Sequence, residues 1–384
     1  MTESERRHRR LIDGLRHDGA LLDPRIEEAF RAVRRHWFLP GVRLDDVYRD
    51  RAVVTHRDHD GVPVSSSSQP VLMARMLAQL DVHPGMAVLE IGTGTGYNAA
   101  LLGQLVGPGG RVLTLDLDPA ITGPAQRHLS AAGASNVTVE TADGWDLGSG
   151  GRFDRIVATV GVWDLAPAWA ARLEAGGRLV VPLWLRAGQQ ASVAFKSAGV
   201  GLDSVGAEPC GFMRLRGPGA GEATYRRLGP WTVSLDHPDP TWEAALSALL
   251  DGDSSARPAP ALDPGWFSAI ALTEPGAVHL FTETPTGAVI RSGLLQLTPP
   301  AMAVVESHPP APALIRTFGH AEPLDRLVHL MSRRPALDPS TLSISALPTG
   351  SPIHQDGAIA TLVRPNFTFV VRAGGGENGP RVRG

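Results

Sequence analysis

Cysteine is nearly absent: Cys210 stands alone in 384 residues. That excludes a disulfide framework and a cysteine-built zinc site. Long apolar runs are also missing. No stretch approaches the roughly 18 consecutive apolar residues of a spanning helix, so no membrane partner is expected. The first ten residues, MTESERRHRR, are charged and carry no apolar h-region. No secretory leader is expected there, and the cytosol is the expected compartment. Nor is there an excess of positive charge. The formal charge is −3, which argues against nucleic acid as the main partner. His279, His308, His320, His329 and His354 lack ligand spacing, so no metal site is expected. There is no internal repeat, and the oligomeric state is left open.

What is present is enough for a sizeable core. Hydrophobic residues make up 43% of the chain and charged residues 20%. The length accommodates one large or two ordinary domains.

One stretch organises the rest: Val88-Leu89-Glu90-Ile91-Gly92-Thr93-Gly94-Thr95-Gly96-Tyr97-Asn98. A short apolar run ends in three alternate glycines, and a helical pattern follows through Ala99, Ala100, Leu101, Leu102 and Leu105. That order predicts strand, tight turn and helix. Glycine serves where φ is positive or where a ligand lies against backbone. The helix start offers free N–H groups to a polar ligand. The next strand, Arg111–Leu115, ends at Asp116. An acid at that strand tip can accept both hydroxyls of a ribose. A dinucleotide fingerprint would read GxGxxG, and here the third glycine comes one residue early. Glu90 beside the turn repels phosphate and tolerates a cationic or neutral nucleoside. S-adenosylmethionine fits that description.

The alternating pattern of residues 81–216 predicts an α/β cofactor core of five parallel strands: 86–91, 111–116, 136–140, 153–159 and 178–183. A terminal antiparallel pair is expected from Gln190–Phe195 and the piece ending at Arg214. Ligands of open sheets lie at the strand C-termini. Asp143 and Gly144, after the third strand, and Thr159, at the end of the fourth, are therefore candidate contacts. Residues 1–80 are read as N-terminal helices and a serine loop. In that loop Ser65-Ser66-Ser67-Ser68-Gln69 precedes a helix opened by Pro70. The serines either cap and loop, with Gln69 or Ser68 as the cap, or form a hydroxyl-lined substrate wall. The Gly/Pro-rich break 216–221 marks a boundary. Beyond it, 221–373 reads as an additional C-terminal α+β domain, with helices at 239–250 and 321–332. The tail 374–384 is expected to be disordered.

Taken together, Ser68-Gln69-Pro70, the run Val88–Ala100, Ala142-Asp143-Gly144, Phe153-Asp154-Arg155-Ile156 and Gly176–Pro182 resemble the protein-L-isoaspartate O-methyltransferase family over roughly residues 20–215. The resemblance implies a class I, Rossmann-like S-adenosylmethionine-dependent methyltransferase, with S-adenosylhomocysteine as the product. Its acceptor would be an aspartate or isoaspartate carboxylate in a peptide or protein, and the ester would cyclise to a succinimide. Ser68 matches the serine at the substrate carboxylate. Ser66 stands where threonine is usual, and Ser67 where a hydrophobic residue is usual. By the same resemblance Glu90, Gly92 and Gly94 match the methionine-side cofactor turn, Asp116 the ribose acid and Asp143 the acid near adenine. Thr93, Thr95, Gly96, Asn98, Leu117, Gly144 and Thr159, at the same strand ends, are further candidate cofactor contacts.

The chain departs from the family's usual form in Ser67, in Leu39-Pro40-Gly41, and in about 150 further C-terminal residues. The extended form resembles homologues that methylate one aspartate of a cyclised ribosomal peptide (lanthipeptide, lasso or graspetide). The expectation leans that way, with isoaspartate repair as the alternative and a small-molecule acceptor third. A carboxylate is already anionic at neutral pH, so the reaction needs alignment and dryness rather than a strong base. Serine hydroxyls can orient the acceptor without adding charge. Arg49, Arg51 and His56 are further candidates for positive potential beside it.

Overall fold

The computed structural model describes residues 1–374 except 60, 149, 223–224, 236–240, 264, 286 and 334–336. The expected disordered tail lies, from residue 375, outside the described residues.

Two helices open the chain, Glu3–His17 and Pro24–Ala32. Thr2 and Glu5 form a capping box on the first; Asp23 caps the second, with Pro24 in its first turn. Their apolar faces, including Leu11, Ile12, Leu15, Ile26 and Phe30, are buried. A hairpin follows, β1 (Val53–Arg57) against β2 (Pro63–Ser67), and then the helix Pro70–Leu80. Gln69 takes the N-cap position of that helix, as one of the two expected caps, but its side chain makes no cap hydrogen bond. The acceptor at that helix start is instead the Asp50 carboxylate, which accepts from Val71 N at 2.8 Å and Gln69 Nε2 at 2.7 Å. A full carboxylate at a helix N-terminus is a stronger acceptor than either neutral side chain.

The core sheet carries β3 (Ala87–Ile91), β4 (Arg111–Asp116), β5 (Val137–Thr141), β6 (Phe153–Ala158) and β7 (Leu173–Trp184). All five run parallel in the order β7-β6-β3-β4-β5. The strand order reverses at β3, which places a crevice at its C-terminal end. Buried on both faces, β3 reads as a continuous apolar run interrupted only by Glu90. The antiparallel addition is β8 (Gln190–Ala198) with β9 (Gly201–Pro209). The segment to Arg214, expected as the second strand of this pair, instead crosses the crevice as a strap. Gly161 N donates to Met213 O at 2.6 Å, and Leu215 N donates to Gly161 O at 2.8 Å.

Residues 226–318 supply a separate seven-stranded antiparallel sheet. Helices Trp242–Asp251, Trp266–Thr273 and Glu322–Arg333 pack with it. The C-terminal strands Leu342–Pro348, Ala358–Val363 and Phe367–Ala373 leave that sheet. They extend the core sheet to ten strands, Leu342–Pro348 pairing with β9 at Ala346↔Leu202. The region 221–373, read from sequence as one α+β unit, is thus divided between two sheets. Alternation of Phe367, Phe369 and Val371 marks a strand but does not say which edge it joins. Among the described residues, no helix is long and apolar enough to cross a membrane, and no three His, Cys, Asp or Glu side chains could hold a metal ion.

Candidate active site

The glycine turn after β3 is built where side chains do not fit. Gly92, Gly94 and Gly96 have φ of +102°, +52° and +85°. A Cβ on Gly92 would lie 2.8 Å from Thr159 Oγ1 and 3.0 Å from Val160 Cγ1. One on Gly94 would lie 3.2 Å from the Ser66 carbonyl oxygen. The turn is therefore pressed between the loop after β6 and the serine strand β2. Thr159 Oγ1 donates to Gly92 O at 2.7 Å, fixing one side of it. The helix Tyr97–Val106 starts at Gly96, which has no side chain to cap it; Tyr97 N donates to Thr95 Oγ1 at 3.4 Å, so the cavity residue Thr95 is tied to the helix start.

A cavity of about 190 Å³ opens above this turn. Gly92, Thr93, Gly94, Thr95, Asn98, Asp116 and Thr159 line it, together with Ser65 to Gln69 of the serine strand and Gly211 to Met213 of the strap. A smaller adjoining cleft of about 50 Å³ is lined by Asp116, Leu117, Asp143 and Gly144 and closed by Met213 to Arg216. The two expected subsites, turn and adenine end, are thus continuous through Asp116. Gly96 and Glu90 line neither. Gly96 faces Leu129 and Ala125 on the helix side.

Glu90 is wholly buried behind the turn. It accepts from Asn98 Nδ2 at 2.7 Å and from Thr114 Oγ1 at 2.6 Å. Thr114 Oγ1 lies 2.9 Å from Thr93 Oγ1, so the carboxylate braces two cavity residues. Burial pushes its pKa up to about 7, against the pull of those two hydrogen bonds. The consequence is measurable. Raised above its unfolded value, this carboxyl contributes stability that is fully present below about pH 4.5 and lost as pH rises through about 7. A shift of that size corresponds to ~3 kcal/mol. The urea midpoint of the ligand-free protein should fall between pH 5 and 8. In Glu90→Gln that component of the slope should vanish; an unchanged slope in the variant would place the titration elsewhere.

Asp116 ends β4 with its carboxylate accepting from Gly94 N at 3.3 Å, and burial raises its pKa as well. Arg216 of the strap stands 3.7 Å from Asp116 and 3.9 Å from Asp118, a cationic cover over the strand tip. Asp143 accepts from Trp145 N at 2.9 Å, and Trp169 Nε1 holds the Gly144 carbonyl at 2.7 Å, fixing that loop.

The serines divide by strand alternation. Ser65 and Ser67 are buried, 8% and 3% exposed, while Ser66 and Ser68 are partly open. Ser65 Oγ lies 3.4 Å from Thr55 Oγ1, and Ser67 Oγ accepts from Arg35 Nε at 3.4 Å. Ser67, grouped by sequence with its neighbours as an acceptor-binding residue, thus has its hydroxyl engaged inside the protein. Ser66 and Ser68 share the opposite face. Arg49, Arg51 and His56 do not line the cavity, and the two arginines pair with Asp46. The residues missed from sequence are Arg35, Thr114 and the strap Gly211–Arg216. Thr114 had a signal, a polar residue inside an apolar strand. Arg35 sits in an Arg34-Arg35 pair, and nothing in the pattern tells which of the two turns inward.

Residues 6–215 match the family model described as protein-L-isoaspartate(D-aspartate) O-methyltransferase. The protein-L-isoaspartate O-methyltransferase of Thermotoga maritima is 37% identical over 163 residues, which cover 42% of this chain and 51% of that protein. The corresponding enzyme of Koribacter versatilis is 33% identical over 210 residues, covering 54% of this chain and 90% of the relative. A solved structure of a protein-L-isoaspartate O-methyltransferase aligns at 25% identity with a TM-score of 0.53, covering 88% of this chain and 96% of its own.

Proposed function

The chain belongs to the protein-L-isoaspartate O-methyltransferase family, and on that premise we propose that it is a repair-type enzyme. It would use S-adenosyl-L-methionine to methylate the α-carboxylate of an L-isoaspartyl residue in a peptide or protein. The observation that carries this reading is the packing of Gly94 under the Ser66 carbonyl. The serine strand and the glycine turn line one cavity, which supports reading the first as the acceptor side and the second as the cofactor side.

The residues fit the cofactor. Gly92 and Gly94 make a cradle that a Cβ would fill, and the Asp116 carboxylate stands at the strand tip for a ribose. Asp143 and Gly144 border the adjoining cleft, where the base would lie. When bound, S-adenosyl-L-methionine supplies an electrophilic methyl group and leaves as S-adenosyl-L-homocysteine. The protein's part is to hold the acceptor and exclude water. Ser66 and Ser68 can donate hydrogen bonds to an acceptor carboxylate, fixing one oxygen toward the cavity. Phe212 and Met213 of the strap cover it and limit access of water. No side chain at the cavity needs to act as a general base, because the acceptor is ionised before it binds.

The extra C-terminal residues, taken alone, favour a dedicated enzyme for one cyclised ribosomal peptide. The solved isoaspartate methyltransferase aligned over 88% of this chain supports the repair reading instead. A length extension is thus compatible with that acceptor.

Mass spectrometry on three acceptors tests the proposal: an isoaspartyl peptide, its aspartyl isomer and a cyclised aspartyl peptide. Gain of one methyl, then loss of methanol, is expected on the isoaspartyl peptide alone. Modification of only the cyclised peptide would reverse the assignment. Ser68→Ala should lower kcat/KM by about 100-fold, with S-adenosylhomocysteine affinity within twofold of the parent by calorimetry. Unchanged turnover would remove Ser68 from acceptor binding.

A further inference from the structure

Arg35 is fully buried. It follows the helix Pro24–Ala32 in sequence and reaches across to the serine strand. Its Nη1 donates to Val47 O at 2.8 Å and Arg49 O at 3.1 Å. Its Nη2 donates to Arg51 O at 3.0 Å, Ser67 O at 3.2 Å and Ser68 O at 3.0 Å. Its Nε reaches Ser67 Oγ at 3.4 Å. Every donor is used, and every acceptor is neutral. Among the described residues no carboxylate pairs with it. Asp50, the acid of this loop, is committed to Gln69 and Val71.

A buried cation is normally matched by a buried anion. Here the direct partners are six neutral oxygens, with the Asp50 carboxylate acting only through space, and three of the six belong to Ser67 and Ser68, which line the cavity. Two consequences follow. The guanidinium fork fixes the peptide units 67–68 and 68–69 from behind. In a planar trans peptide the N–H points opposite to the C=O, so the N–H groups of Ser68 and Gln69 are directed away from Arg35. The strand between Arg35 and the cavity is thereby polarised, positive toward whatever the serines hold. In a medium of low dielectric such a field reaches an anion several ångströms away with little screening.

We infer that Arg35 is a positioning residue for the acceptor: it holds Ser66 and Ser68 in place through the Ser67–Ser68 backbone, and its charge, hydrogen-bonded to no carboxylate among the described residues, makes the serine strand selective for a carboxylate. This rests on the reading of the cavity as a carboxylate methylation site. The ligand class it selects is an anionic peptide acceptor over its uncharged analogue.

The experiment compares wild type, Arg35→Met and Arg35→Lys with two peptides, an isoaspartyl peptide and the same peptide with its α-carboxylate converted to a carboxamide. Methyl transfer to the first is measured, together with binding of both peptides and of S-adenosylhomocysteine. In wild type the acid peptide should bind at least about tenfold more tightly than the carboxamide, the equivalent of ~1.4 kcal/mol. Arg35→Met should bring that ratio close to one while S-adenosylhomocysteine affinity holds. Arg35→Lys keeps the charge but cannot span six acceptors from one plane, so it should keep the ratio and lose about tenfold in kcat. A ratio in Arg35→Met equal to that of wild type would overturn the inference. If Arg35→Met does not fold, Arg35→Lys decides: kcat equal to the parent overturns it, and a lower kcat at unchanged cofactor affinity supports it. If wild type itself methylates no isoaspartyl peptide, the underlying functional reading fails, and that result is distinct from any outcome in the variants.

Discussion

Gly92→Ala is expected to raise the dissociation constant for S-adenosylhomocysteine by more than about 100-fold, while costing only ~2–3 kcal/mol of stability. Two effects add at this position. The backbone sits at φ +102°, outside the regions L-residues adopt. The new methyl would also stand 2.8 Å from Thr159 Oγ1 and 3.0 Å from Val160 Cγ1. Neither neighbour can yield easily. Thr159 Oγ1 is bonded to Gly92 O, and the loop behind Val160 is tied through Gly161 to Met213 and Leu215. Relief must come from the turn, and the room it has is the cavity. Gly85→Ala is the control. Its φ is +85°, but nothing lies within 4 Å of the added carbon. That variant should lose ~1–2 kcal/mol from strain alone and bind S-adenosylhomocysteine like the parent. Calorimetry and urea unfolding on the two variants separate strain from site geometry. Normal affinity in Gly92→Ala would detach this turn from the cofactor.

Much of this half of the molecule was legible because its signals are local. Alternate glycines, an acid at the next strand tip and regular β/α alternation each report on a few consecutive residues. The parallel strands β3 to β7 follow from them. What sequence could not report is where side chains and strands go after the chain has turned back. Ser65 to Ser68 are four identical residues, and only strand alternation separates the two with buried, engaged hydroxyls from the two on the open face. Gln69 does take the N-cap position, yet the side-chain acceptor there comes from Asp50, on another loop. Glu90 has the composition of a ligand contact, but it acts from behind, through Asn98 and Thr114. The strap 211–216 has strand-like residues but pairs only by an isolated parallel bridge, Arg214 with Gly161, because β9 has already filled the sheet edge beside β8.

The last three strands carry the other large expectation. A chain ended at Thr341 should fail to form a stable methyltransferase core, although it keeps every residue of the family match, 6–215. Ile344, Phe369 and Val371 are fully buried in the same cluster as Leu202, Phe195 and Leu179 of the core sheet. Burial of side chains of this size is worth ~1.5–3 kcal/mol each. Three of them approach the ~5–15 kcal/mol of a whole domain's stability. The deletion would also strand Asp164. Its buried carboxylate accepts from Asn366 N at 2.8 Å, Asn366 Nδ2 at 2.9 Å and Phe367 N at 3.2 Å, besides Leu165 N at 2.8 Å. Three of those four donors come from Asn366 and Phe367, where the last strand begins. Asp164 lies five residues beyond Thr159 and four beyond Val160, both of which line the cavity. The C-terminal turn therefore holds the loop against which Gly92 packs. Asp164→Ala isolates this tie: it should cost ~3 kcal/mol, since the Asn366 and Phe367 donors stay buried without an acceptor. It should weaken S-adenosylhomocysteine binding in parallel, because the loop that seats the turn is released. The two variants are read by urea unfolding and calorimetry. A soluble chain 1–341 that binds S-adenosylhomocysteine with parental affinity would make residues 342–373 an appendage to the enzyme rather than part of its sheet.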